Sequence, residues 1–286
     1  MIALVTDSNA QLPDALRDRF GVHVVPLTVV VDGEDRLEGV DLGADEFYAR
    51  LAAGATVSTA APAPGRVLEV LEAAASAGAA GILAVHIGSS SSATVSAVHL
   101  AARESTVPVE IVDTGTASFP IACSVWAAGL VLERGGDLGE AAAAARAVAA
   151  TVGNVFVVGA LDLARRGGRL SSDVTDDDGV PVLALVGGTM EMVGRARDLE
   201  EAVGQMDSYY ARWADGRPSY VGVGDAVAPE LAESLADRLR DRPETVELVR
   251  YAIGPSVGVH SGPGTAGAVF FPAALAGPRS PGVTQP

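Results

Sequence analysis

The chain opens on Ile2-Ala3-Leu4-Val5, an unbroken apolar run that ends at once in Thr6-Asp7-Ser8, and two later strand-like runs also end in polar residues. Residues 82–87 run into Gly88-Ser89-Ser90, and residues 109–112 into Asp113-Thr114. A strand apolar at every position must be covered on both faces, which confines it to the interior of a parallel sheet with helices on either side. The intervening segments read as those helices. Pro13 can open one and Gly21 close it, and residues 45–53, 64–76 and 92–104 follow, with residues 22–31 as a further strand-like run interrupted by Pro26. The first half is thus predicted to be α/β with a mostly parallel sheet. Ligands of such sheets sit beyond the carboxyl ends of the strands, so the three polar segments are expected to be neighbours.

The pattern changes near residue 150, dividing the 286 residues into an N-terminal α/β domain (1–150) and a C-terminal mixed or antiparallel α+β domain (151–276). An alanine-rich helix at residues 139–150 precedes a strand at 154–158. Residues 181–186 and 190–197 read as a hairpin across Gly187-Gly188-Thr189. Helices at 198–214 and 229–240 then alternate with strands at 220–224, 246–251 and 257–260, and residues 277–286 read as a disordered tail.

Charge excludes several functions. The chain has 36 acidic residues against 20 basic ones, all arginine, for a net charge of −16. Without lysine there is neither Schiff-base chemistry nor the lysine of a phosphate-binding loop. A strongly acidic chain is also a poor ligand for nucleic acid, whose affinity comes largely from cations on phosphates. The single cysteine, Cys123, forms no internal disulfide or metal cluster and reads as a small core residue. The amino-terminal residues lack a basic segment, and the most apolar later stretch, 119–132, is shorter than the ~18–20 residues of a membrane span; a cytoplasmic protein is expected.

The residues that can carry chemistry are mostly hydroxyls. Ser89 to Ser92, with Ala93 and Thr94, lie between a buried strand and a helix, where backbone N–H groups and short hydroxyls can hold an anion without a cation. Residues 56–59, ending in Thr59, form a second such stretch, equally readable as a capped helix entry. His260 and Ser261 open a glycine-rich loop; Gly262 to Gly267 fits G-x-G-x-x-G literally, but too little chain follows for a dinucleotide fold. The other histidines, His23, His86 and His99, read as structural. Arg165, Arg166 and Arg169 make the one dense basic patch, of which the first two suit a helix C-terminus. Asp173 and Asp176 to Asp178 lack calcium-loop spacing and read as a solvated loop.

Taken in order, these segments resemble the DegV family of fatty-acid-binding proteins, which includes the acyl-binding subunits of bacterial fatty acid kinase. The similarity runs through Val5-Thr6-Asp7-Ser8, Glu38-Gly39-Val40-Asp41, Ser58-Thr59 with Pro62-Ala63-Pro64-Gly65, Ser92-Ala93-Thr94, Val112-Asp113-Thr114, the Gly-Gly-Arg ending at Arg169, and His260-Ser261-Gly262-Pro263-Gly264. The resemblance implies a two-domain DegV-like fold that buries one long-chain fatty acid in a tunnel at the domain junction, with no other cofactor and no metal. It implies that Thr59 and Ser92 donate to the carboxylate, that the backbone at Ala93 and Thr94 adds N–H groups, that Ser89 and Ser261 border the site, and that His260 approaches from the second domain. Arg169 would sit at the rim, facing a separate kinase subunit that phosphorylates the bound carboxylate. The chain would then be a carrier and not itself an enzyme.

Departures from the family pattern lie at Ala60 and Ala61, where it has Ser-Gln, at Ala93 for glycine, at Val95 for tyrosine and at Gly88 for serine. They leave room for a family member that has lost acyl binding and serves as a sensor or scaffold. A serine hydrolase is the rival from another class, with Ser92 as nucleophile, His260 as base and Asp7 or Asp113 as orienting acid; the sequence has no G-x-S-x-G elbow.

Overall fold

The computed structural model describes residues 1–166, 179–186 and 189–277. The amino-terminal half alternates β1 (Ile2–Asp7), α1 (Asp14–Phe20), β2 (His23–Val25), β3 (Thr28–Val31), β4 (Glu34–Leu37), α2 (Ala44–Ala52), β5 (Val57–Ala60), α3 (Pro64–Ser76), β6 (Gly81–His86), α4 (Thr94–Ala102) and β7 (Val109–Asp113). Strands β2, β1, β6 and β7 lie side by side in that order, all parallel. Every residue of β6 is buried, including His86 at its end, as a strand covered on both faces requires.

Residues 22–31 are not one strand. The chain breaks at Pro26, and β3 joins a separate antiparallel sheet of order β4-β3-β5, which the apolar pattern alone does not separate from β2. Its first hairpin turns on Asp32-Gly33, both in the left-handed region at φ 53° and 85°, the conformation that suits an Asp-Gly two-residue turn. Antiparallel pairing therefore enters before residue 60.

The second half carries α5 (Phe119–Glu133), α6 (Leu138–Thr151), β8 (Gly153–Val157), α7 (Leu161–Arg166), β9 (Val180–Val186), β10 (Thr189–Ala196), α8 (Leu199–Ala214), β11 (Ser219–Asp225), α9 (Pro229–Arg240), β12 (Thr245–Ala252), α10 (Pro255–Ser261) and β13 (Ala266–Pro272). Six of its strands make a mixed sheet, β10-β9-β8-β13-β11-β12, in which only β11 and β12 are parallel. Residues 257–260 are helical, not a strand: Pro255 occupies the first turn, where its fixed φ favours a helix, and the alternating valines follow it. The glycines after Ser261 lead from a helix into a strand, the reverse of the order a dinucleotide site needs. Arg169, the aspartates 173 and 176–178, the glycines 187 and 188, and residues 278–286 lie outside the described residues.

Helix α5 joins the halves. It is apolar around its circumference, shows no helical period in sequence, and is buried from Phe119 through Leu130. On one side it packs on β1 and β6, on the other on β13. Phe119 stacks on Tyr251 at 4.0 Å, and Trp126 meets Tyr220 at 4.9 Å and Phe271 at 5.7 Å. One apolar cluster thus runs through both lobes.

After β11 the chain makes a strained turn. Val227 has φ 54° yet is 62% exposed, so packing does not favour its side chain there. The conformation is held from outside: Ala226 N–H donates to Thr265 O, Gly264 N–H to Ala226 O, and Ala228 N–H to an Asp225 carboxylate oxygen at 3.0 Å. Left-handed geometry costs a side chain ~1–2 kcal/mol, while glycine loses ~0.5–1 kcal/mol more entropy on folding. Val227→Gly is accordingly expected to raise the midpoint of thermal unfolding by about 2 °C, as read by calorimetry; a lower midpoint would show the turn to be unstrained.

Candidate functional site

The carboxyl ends of β1, β6 and β7 do converge, and hydrogen bonds fix their geometry. Asp7, fully buried, accepts from the Asn9 and Ile87 amides and bonds His86 Nδ1 at 2.9 Å. The Thr114 hydroxyl donates to His86 O at 2.8 Å. Gly88 lies so close to the β7 loop that a Cβ there would stand 2.6 Å from the Gly115 backbone, so this chain's departure to glycine is one the loop packing requires.

Beside these strand ends a cavity of about 680 Å³ runs between the lobes. Asn9, Thr59, Ala60, Ala61, Ile87, Ser90 to Ala93 and Gly115 to Ser118 border it on the amino-terminal side. Phe156, Leu185, Met190, Tyr251, Ile253, Val257, His260, Ser261 and residues 267–269 border it on the other. Its walls are mixed in character. Ile87, Tyr251, Ile253 and the residues at 268 and 269 are buried and apolar, whereas Thr59, Ser90, Ser91 and Ala93 are exposed. Polar groups thus stand at the exposed edge of the cavity and also, at Asn9, Asn154, Ser256, Ser261 and Thr265, on its buried walls. No arginine stands among the described lining residues, so polar recognition there rests on hydroxyls, amides and His260.

Of the residues singled out in sequence, Thr59, Ser92, Ala93, His260 and Ser261 border the cavity, and Ser89 and Thr94 do not. Ser89 turns toward Asp113, to which its amide donates at 3.1 Å. Partial burial pushes the Asp113 carboxyl up, but the Ser89 hydroxyl and the Gly115 and Ser89 amides outweigh that and hold it below the usual carboxylate range. Thr94 is buried, its hydroxyl 2.8 Å from that of Ser92, where it orients the serine. Burial pushes the Cys123 thiol up, which leaves it a packed and unreactive group.

Of the two carboxylates in the hydrolase reading, Asp7 is engaged by His86 and the Asn9 and Ile87 amides, and Asp113 by the Ser89 and Gly115 amides. Residues that sequence reasoning missed complete the wall. The Asn9 side chain accepts from the Ser118 amide at 2.8 Å and donates to the Ser256 hydroxyl at 3.1 Å, tying three segments distant in sequence. Among the described residues no group of His, Cys, Asp or Glu is placed to hold a metal ion, and no helix is long and apolar enough to cross a membrane.

Comparison with known proteins bears on this arrangement. The family model described as uncharacterised protein, DegV family, matches residues 1–273. A DegV domain-containing protein of Streptomyces coelicolor is 36% identical over 273 residues, spanning 94% of this chain and 97% of its own length. One from Mycobacterium tuberculosis is 31% identical, with coverages of 93% and 95%. Among solved structures, a DegV family protein from Thermus thermophilus, described by its fatty acid binding, has a TM-score of 0.86 at 30% identity and covers 95% of this chain and 99% of that one. With similarity running from the first strand through the last, the chain belongs to the DegV family.

Proposed function

We propose that the protein binds one long-chain fatty acid in the cavity between its lobes and presents the carboxylate at the mouth to a separate fatty acid kinase. In this role it is a cytoplasmic carrier whose domains divide near residue 150. The observation that carries the proposal is the cavity itself, with a buried apolar wall at Ile87, Tyr251, Ile253, Ala268 and Val269 and hydroxyls at Thr59, Ser90 and Ser91 on its exposed edge. Fatty acid binding by the Thermus thermophilus relative supports it.

The division of labour follows from the energies. Each buried methylene is worth ~0.8 kcal/mol, so the tail dominates affinity, offset by the cost of immobilising it. A carboxylate taken wholly out of water would need every acceptor satisfied. At an exposed mouth it keeps part of its hydration, and Thr59, Ser92, the Ala93 backbone, His260 and Ser261 supply the remaining donors. Ser89 and Thr94 act one step back, through Asp113 and Ser92. A carboxylate held at the rim is also within reach of a phosphorylating partner, the role the family resemblance gives to the rim at Arg169.

Native mass spectrometry of protein purified from cells tests the ligand: a fatty acid released on denaturation is expected, and a preparation that carries none and binds none of an offered series overturns the proposal. Charge-assisted hydrogen bonds contribute ~1.5–3 kcal/mol, so Ser92→Ala is expected to weaken fatty acid binding about ten- to a hundredfold in a protein that still folds, its melting temperature a few degrees lower because Thr94 loses its partner. Unaltered affinity in a folded variant removes Ser92 from the site.

A further inference from the structure

Helix α10 carries Ser256, Val257, His260 and Ser261 to the cavity, yet nothing in its own sequence caps it. Its N-cap is Gly254, which has no side chain, and Pro255 follows. The donor that a capping side chain ordinarily takes is the amide of the second helical residue, here Ser256. That amide donates at 2.9 Å to Glu38 Oε1, 218 residues away and in the other lobe. The neighbouring Gly254 amide donates to Gln11 Oε1, again from the other lobe.

Glu38 is buried, at 6% exposure, and its recorded hydrogen-bond partners are neutral. Besides the Ser256 amide it accepts from the Ser8 hydroxyl and, at 3.4 Å, from Gln11 Nε2. Asn9 adds its bond to the Ser256 hydroxyl, and the Tyr48 hydroxyl of α2 donates to Ile253 O at 2.9 Å. A carboxylate near the positive end of a helix is favourably placed, but burial here pushes the Glu38 carboxyl up despite the bonds from Ser8, Ser256 and Gln11 that pull it down. What the residue contributes is acceptor geometry at the helix start more than charge.

We infer that Glu38 is a positioning residue that caps α10 in trans, so that His260 and Ser261 stand at the cavity only while the two lobes are in register. A seven-residue helix has little stability alone and needs tertiary partners. Removing its cap loosens an element through which the second lobe reaches the cavity. The consequence for the ligand rests on the fatty acid proposal above; the consequence for the helix does not.

Two measurements on the full chain test this in Glu38→Ala and Glu38→Gln. In ligand-free protein, hydrogen exchange at the Gly258 and Gly262 amides, which bond within α10, is expected to quicken at least tenfold in Glu38→Ala, with α5 unchanged. Glu38→Gln, which keeps an acceptor oxygen, restores protection. Affinity is then compared for palmitate and hexadecanol, probes with the same tail length. Glu38→Ala is expected to weaken palmitate at least tenfold and hexadecanol less than threefold, and Glu38→Gln to recover palmitate binding. Unchanged exchange in α10, or equal losses for acid and alcohol, overturns the inference. If the wild type binds neither probe, the fatty acid proposal fails while exchange still decides the cap. Should Glu38→Ala not fold, Glu38→Asp, which draws the acceptor back by one methylene, takes its place.

Discussion

Trp126→Ala is expected to lower the free energy of unfolding by about 3–5 kcal/mol, the largest stability loss of any single substitution considered for this chain. The indole is fully buried in α5 and meets Tyr220 and Phe271 of the second lobe's sheet. Truncation leaves a cavity between α5 and the strands that carry Tyr220 and Phe271. Among the described residues the indole Nε1 has no hydrogen-bond partner, so the substitution breaks no polar bond. For a chain of this size the loss corresponds to a fall in melting temperature on the order of 10 °C. Because the apolar cluster is continuous through both lobes, calorimetry is expected to record one transition before and after the change. A separate, earlier transition for either lobe would mean that α5 does not couple them.

Ala117→Phe is expected to have the largest effect on ligand binding. Ala117 borders the cavity and packs against the core just before α5. A phenyl ring there occupies space already empty, so the melting temperature should stay within a few degrees. If the ring displaces four methylenes of a bound chain, the loss is ~3 kcal/mol, or about a hundredfold in affinity. Titration with a fluorescent fatty acid reads this directly. Binding within threefold of wild type would place the acyl chain elsewhere.

The parallel sheet was legible because a strand buried on both faces leaves an apolar run that no other element produces so briefly, as in β1 and β6. Elements whose identity depends on partners were not. Nothing local in residues 28–31 separates them from β2, although Asp32-Gly33 was a usable hairpin signal. Helix α5 hides its period because it is surrounded, and the central place of β13 in its sheet follows only from its partners β8 and β11. At the site, the hydroxyl loops were legible from their position after strands. Asn9, Ser118, Glu38 and Ser256 were not, since the bonds that unite them span 109 to 247 residues. The same sequence logic assigned Ser89 and Thr94 to the ligand, where hydrogen bonding turns them to Asp113 and Ser92.

The wedge of α5 between the two sheets has a bearing on traffic. Lobes that share an aromatic seam cannot part like a clam shell without breaking Phe119 from Tyr251 and Trp126 from Phe271. A lipid bound as proposed must instead be threaded lengthwise, methyl end leading on the way in and polar end leading on the way out. Throughout a binding cycle, then, the end that faces the outside world is the one a second protein would need to touch.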